Sequence, residues 1–272
     1  MCDTCGCNVT SGNQHLVQPG GALSHTSDGS VAIEVLTNLL SENDKIAAHN
    51  RQHFDAQGVL VMNLMSSPGS GKTALLEVMA QQLKGRLKIA VIEGDLETEN
   101  DAQRIRQQGV QAIQIVTGTA CHLDAHMVHT ELHKMDLKDI DVVFIENVGN
   151  LVCPASFDLG HHINVALLSV TEGDDKPEKY PVMFRAADQV VISKTDLLPY
   201  LEDFSPDKAI LHIRELANDA PVLQVSVKNA ESVEAWIDWV ISEVAMQKQR
   251  LLDGVDIKTK TQSDGVLLHE HG

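Results

Sequence analysis

The stretch Ser66-Ser67-Pro68-Gly69-Ser70-Gly71-Lys72-Thr73 limits the fold of this chain more than any other. It follows an apolar run, residues 59–65, that reads as a buried strand, and it precedes a helical segment, residues 74–83. In a strand–turn–helix of this kind the loop N–H groups wrap phosphate oxygens and the helix N-terminus adds a favourable dipole. The Gly-Lys-Thr ending fits a phosphate-binding P-loop. Gly69, Ser70, Gly71 and Ala74 are then nucleotide-contacting positions. Lys72 would reach the terminal phosphates, and the Thr73 hydroxyl would bind magnesium. Ser66 stands where the usual first glycine would be.

The rest of the chain repeats the alternation. Apolar runs at 89–92, 112–116, 142–145, 165–170, 189–193 and 222–226 read as strands. Segments at 32–54, 101–107, 123–135, 208–217 and 230–245 carry helical spacing. Strands alternating with helices imply an α/β fold with a mostly parallel sheet covered on both faces. Continuous apolar strands are what double coverage requires. Residues 1–30 are expected to be a flexible tail, 31–252 a P-loop nucleotide-binding domain, and 253–272 a polar C-terminal tail.

The run Ser193-Lys194-Thr195-Asp196-Leu197 follows a strand and has the form of a guanine-reading loop. The Asp196 carboxylate would accept from the guanine ring N–H and exocyclic amine, whereas adenine would leave it unpaired. The Lys194 stem would lie over the base, and Ser226 and Val227 fall where a last base-side loop belongs. Three acids are candidates for magnesium and the attacking water: Asp95 after the second strand, Asp101 beyond it, and Glu146 in Glu146-Asn147-Val148-Gly149. Acids at strand C-terminal ends lie near ligands in open α/β sheets. Lys72, Asp95, Asp101 and Glu146 form the expected catalytic set.

The 272 residues carry a net charge of −17, which argues against a nucleic-acid partner. No long apolar run suggests a membrane span and no signal peptide is read. Five cysteines at irregular spacing suit a reduced, cytoplasmic protein. Cys2, Cys5 and Cys7 form a cluster in the tail, and thiolates are soft ligands for transition metals. Cys121-His122 and Cys153 flank the nucleotide machinery, with His126 one helical turn beyond His122. Two thiolates and one or two imidazoles suit zinc or nickel. His129, His133, His161 and His162 are read as non-ligands.

Together these motifs resemble HypB, a family of GTPases that insert nickel during [NiFe]-hydrogenase maturation. The resemblance rests on residues 63–73, Glu93-Gly94-Asp95 through Asp101-Ala102, Cys121-His122, residues 146–154 and residues 193–197, and it spans roughly 59–240. Ser66 belongs to that family's own P-loop. The resemblance implies a low-turnover, magnesium-dependent GTPase that binds GTP and GDP and dimerises with GTP and metal. It also implies a HypA-type metallochaperone partner and delivery to the hydrogenase large-subunit precursor. Cys2-x-x-Cys5-Gly6-Cys7 resembles the tight nickel site of some members. The alternatives are a nickel or zinc storage protein on a GTPase scaffold, and a urease-type nickel chaperone.

Overall fold

The computed structural model describes residues 30–95, 100–118, 120–257 and 259–261, with side chains from residue 40 onward. Seven strands form one sheet in the order β3-β2-β4-β1-β5-β6-β7. They are β1 (Leu60–Ser66), β2 (Ile89–Asp95), β3 (Gln111–Val116), β4 (Val142–Glu146), β5 (Ile163–Ser169), β6 (Gln189–Ser193) and β7 (Val222–Val225). Every pairing is parallel, so the expected mostly parallel sheet is parallel throughout.

Helices α1 (Ser30–Ala56), α2 (Lys72–Gln82), α3 (Asn100–Gln107), α4 (Ala125–Leu132), α5 (Lys176–Lys179), α6 (Pro181–Ala186), α7 (Pro206–Glu215) and α8 (Ala230–Asp253) cover both faces. On one face Leu75, Leu76 and Met79 of α2 meet Trp236, Ile237 and Val240 of α8 over Leu64, Phe144 and Leu167. On the other, Phe54, Val128 and Leu132 pack over Val61, Val143 and Ile145, and Met183, Phe184 and Ile213 over Ala166, Leu168 and Ile192. A fully buried Leu or Phe side chain contributes roughly 1.5–3 kcal/mol by removal from water, so these layers hold the sheet rigid beneath the loops.

Two sequence-based boundaries move. The helix expected over 123–135 begins at Ala125, because the Asp124 side chain caps it by accepting from Met127 N at 2.8 Å. Helix α8 continues to Asp253, and Thr259 is pinned beyond it: Arg51 Nη2 donates to its hydroxyl at 2.6 Å, and that hydroxyl donates to His161 O at 2.6 Å. Asn164 Nδ2 also donates to Lys260 O at 2.9 Å. This part of the segment after 252 packs on the domain because it satisfies buried polar groups there.

Strand β1 lies between β4 and β5, and the chain leaves it in one direction for β2 and returns on its other side at β5. Ligands bind at such switch points, outside the C-terminal strand ends. The P-loop, Glu146 and the Ser193-Lys194 turn all sit at those ends.

Candidate functional site

Ser66, the last residue of β1, has a structural use that the missing glycine would not supply. Its hydroxyl accepts from Lys72 Nζ at 2.7 Å and from Ser70 Oγ at 2.5 Å, so it holds both P-loop side chains. Gly69 and Gly71 take φ values of 74° and 98°, the left-handed region that lets the loop curl back on itself. The Ser193-Lys194 turn is tied to this loop. Ser193 Oγ donates to Ser70 O at 2.7 Å and Lys194 Nζ to Gly69 O at 2.6 Å.

Beside these turns lies a cavity of about 240 Å³ lined by Ala74, Lys194, Asp196, Leu197 and Val227 among others. Asp196 accepts from Ser226 Oγ at 2.7 Å and pairs with Lys228 Nζ at 3.0 Å. Those donors, Ser226 first, hold its carboxyl below the usual carboxylate range. Ser226 is itself buried and holds the Asp196 carboxylate, while Val227 faces the cavity.

The acids divide. Thr73 Oγ1 donates to Glu146 Oε1 at 2.8 Å at the buried end of β4. Glu93 stands beside Glu146 in register across β2 and β4. Both carboxyls are buried, and burial first, with mutual proximity, raises Glu93; burial likewise raises Glu146. Glu93 Oε2 and Glu146 Oε2 have no hydrogen-bond partner among the described residues. Two orphaned carboxylate oxygens near a P-loop threonine are a hard-oxygen donor set of the kind magnesium takes. Asp101 lies on α3, paired with Arg104 at 2.9 Å, and acts on both glutamates through its charge. Asp95 ends β2, where its carbonyl accepts from Thr117 N at 2.9 Å. Sequence reasoning passed over Glu93. Its signal was an acid inside an apolar strand run, where only pairing or protonation tolerates one.

The second constellation gathers Cys121, His122 and Cys153, whose donor atoms all lie within 4.8 Å of one another. Cys121 Sγ donates to Cys153 Sγ at 3.3 Å, and no disulfide joins them. This bond, with help from His122 and Asn150, brings the Cys153 thiol down to about 4. The His122 ring is buried and stacks on Phe157 with centroids 4.1 Å apart, and its Nε2 has no partner among the described residues. A depressed thiol and the His122 ring, whose Nδ1 lies 3.8 Å from Cys121 Sγ, fit a late transition metal, and three protein donors leave a coordination position open.

His126 does not join this group. The Asp124 cap starts α4 after His122, so the two histidines do not share a helical face. His162 instead bridges Val61 N at 2.9 Å and Asp55 Oδ1 at 3.1 Å, and His161 accepts from Leu159 N at 3.3 Å, as structural residues do. Cys2, Cys5 and Cys7 lie outside the described residues.

The two constellations touch. Asn147, next to Glu146, accepts from Leu123 N at 3.1 Å, next to His122. Gly149 passes over the P-loop so closely that an added Cβ would lie 2.8 Å from both N and Cα of Pro68.

Comparison with known proteins agrees with this geometry. Residues 60–224 match the family model described as CobW/HypB/UreG, nucleotide-binding domain. Hydrogenase maturation factor HypB of Azotobacter vinelandii is 51% identical over 208 residues, covering 76% of this chain and 68% of that protein. The crystal structure of HypB from Helicobacter pylori in complex with nickel superposes with a TM-score of 0.72 at 42% identity, over 76% of this chain and 97% of that one. Hydrogenase maturation factor HypB from Archaeoglobus fulgidus gives 0.70 at 38% identity, over 75% of this chain and all (100%) of that one.

Proposed function

The chain belongs to the CobW/HypB/UreG family, among its HypB hydrogenase maturation factors, and on that premise we propose that it is a magnesium-dependent GTPase delivering nickel to the large-subunit precursor of a [NiFe]-hydrogenase. The observation that carries this reading is the joint between the nucleotide loops and the thiolate group: Glu146-Asn147-Val148-Gly149 touches Thr73, Leu123 and Pro68, and leads into Cys153.

Asp196 selects guanine by accepting from N–H groups that adenine lacks. Gly69, Ser70, Gly71 and Lys72 hold the phosphates, and Lys72 leaves Ser66 to offset the charge that develops on the transferred group. Thr73, Glu146 and Glu93 would hold magnesium, which when bound supplies electrostatic stabilisation of the phosphoryl charge. Burial raises both carboxyls, and a bound cation would offset that by favouring their charged forms. Asp95 at the end of β2 and Asp101 in the first turn of α3 are the acids that would orient the attacking water. Catalysis here is positioning and electrostatics, with little else for the protein to do.

Nickel is the cargo. Cys121, His122 and Cys153 bind it in a site with an open position, which suits transfer to a partner. A change in Glu146 and Gly149 on loss of the terminal phosphate moves the Cys153 loop against Cys121 and alters the grip on the ion. Cys2, Cys5 and Cys7 would hold a second nickel on the tail. The partners are a HypA-type metallochaperone, the large-subunit precursor and a second copy of this chain; zinc competes at the thiolates. Phosphate release tests the enzyme reading: the chain should hydrolyse GTP and not ATP, and Lys72→Ala should reduce turnover at least a hundredfold. Unchanged turnover in that variant would exclude the assignment.

A further inference from the structure

Four imidazoles converge on the outer faces of α1 and α4, away from both constellations above. His49 and His53 lie one turn apart on α1; His129 lies in the last turn of α4 and His133 caps its end. The rings form a chain: His49 and His129 have centroids 5.1 Å apart, His129 and His133 4.7 Å, and His133 and His53 6.1 Å. His49 and His133 are exposed, and His53 and His129 half-buried, so an ion can enter from solvent.

The tautomer of His129 follows from its neighbour. Asn50 is fully buried, and its Nδ2 donates to Ala125 O at 2.9 Å and Leu159 O at 3.2 Å. That fixes the amide, so Oδ1 is the atom facing His129 Nδ1 at 2.9 Å, and Nδ1 must carry the ring proton. The lone pair is therefore on Nε2. An N–H held by a buried oxygen opposite the lone-pair nitrogen is the usual support of a metal-binding imidazole; here that nitrogen accepts a hydrogen bond from His133, whose proton a bound ion would displace.

That Nε2 lies 3.3 Å from Nε2 of His133. At metal–nitrogen bonds of about 2.1 Å, two donors so spaced subtend about 105°, close to a tetrahedral angle. His49 stands edge-on to His129 and His53 edge-on to His133, with centroids 5.1 Å and 6.1 Å apart, so both side chains must turn before their nitrogens can reach an ion held by the α4 pair. A plain solvated face would scatter four such rings or pair them with acids. Here no carboxylate is ion-paired with any of the four among the described residues, and nearby Glu131 is taken by Lys134 at 2.7 Å.

We propose that His49, His53, His129 and His133 form an imidazole-only site for a late first-row divalent cation, separate from Cys121, His122 and Cys153. Without thiolates it holds the ion less tightly than the cysteine sites and exchanges it faster. From the sequence His129 and His133 read as non-ligands, and His49 and His53 are not singled out; the docking of α1 on α4 brings the two pairs together.

The test uses the full chain, equilibrium dialysis against nickel, and two double variants, His129→Gln/His133→Gln and His49→Gln/His53→Gln. Each double variant should bind one ion fewer per chain than the parent, with unchanged thiolate-to-nickel charge-transfer absorbance and unchanged far-UV circular dichroism. Cys121→Ser/Cys153→Ser should keep the imidazole-held ion. Parental stoichiometry in both histidine variants would overturn the site, and loss confined to the α4 variant would overturn its four-ligand form.

Discussion

Asn147 Oδ1 accepts from the backbone N–H of Leu123 at 3.1 Å, and this bond joins the strand end that carries Glu146 to the segment that carries Cys121 and His122. The same oxygen accepts from Val148 N at 3.0 Å, while Asn147 Nδ2 donates to Asn63 Oδ1 at 3.2 Å. Asn147 is therefore a buried junction between the loop at 146–149 and the Cys121-His122 segment. Asn147→Ala leaves these donors and acceptors unpaired and should cost about 1–3 kcal/mol of stability, read from the denaturant midpoint. In the variant, nickel affinity at the cysteine site should no longer depend on the nucleotide.

Gly149→Ala tests the contact from the other side. A Cβ there would overlap the Pro68 backbone at 2.8 Å, so the P-loop must shift. GTP affinity should fall by about tenfold or more, which corresponds to roughly 1.4 kcal/mol. Fluorescence titration with a labelled nucleotide measures it. The fold should persist, since the clash is confined to two loops.

Cys153 gives a pH prediction. With its thiol brought down to about 4 by Cys121 and His122, the apo protein carries a thiolate far below the ordinary range. Its alkylation rate should stay nearly flat from about pH 8 to about pH 5 and fall only below that. Cys121→Ala removes the largest cause and should move the midpoint upward. The sign for stability follows: between about 4 and the ordinary thiol value of 9.0 the unfolded chain holds a proton that the folded one has released. The contribution of this group is complete above that ordinary value and is lost as pH falls through about 4. Mass spectrometry of the alkylated peptide follows the first effect and thermal melts the second.

Glu93 and Glu146 have the opposite sign. Their carboxyls are raised by burial, so their contribution is complete below the ordinary carboxyl value of 4.5 and is lost as pH rises through the folded value. Magnesium with nucleotide should reverse that loss. Glu93→Gln should flatten the pH dependence of the apo melting temperature and lower magnesium-dependent GTP turnover by roughly tenfold or more. Normal turnover with an unchanged melting profile would remove Glu93 from the site.

These residues also mark how far the sequence could be read. The placement of Gly71-Lys72-Thr73 and Ser193-Lys194-Thr195-Asp196 was legible because each is a local pattern: a turn, a helix start, a strand end. The parallel sheet was legible because doubly covered strands are apolar throughout. Glu93 was not, because its role comes from register with Glu146 across β2 and β4, which are not consecutive strands. His126 was grouped with His122 as one helical turn apart, although Asp124 was a readable cap that starts α4 after His122. The pairing of His49 and His53 with His129 and His133 depends on how α1 docks on α4, and no local pattern encodes it.

The account rests on nucleotide-dependent grip at Cys121, His122 and Cys153. The most direct test is nickel titration of the full chain with Cys2, Cys5 and Cys7 replaced by serine, followed by thiolate-to-nickel absorbance with GDP and with a non-hydrolysable GTP analogue. The account predicts affinities that differ by at least fivefold between the two nucleotides, about 1 kcal/mol of coupling, with the difference abolished in Asn147→Ala. Equal affinities with both nucleotides would contradict it.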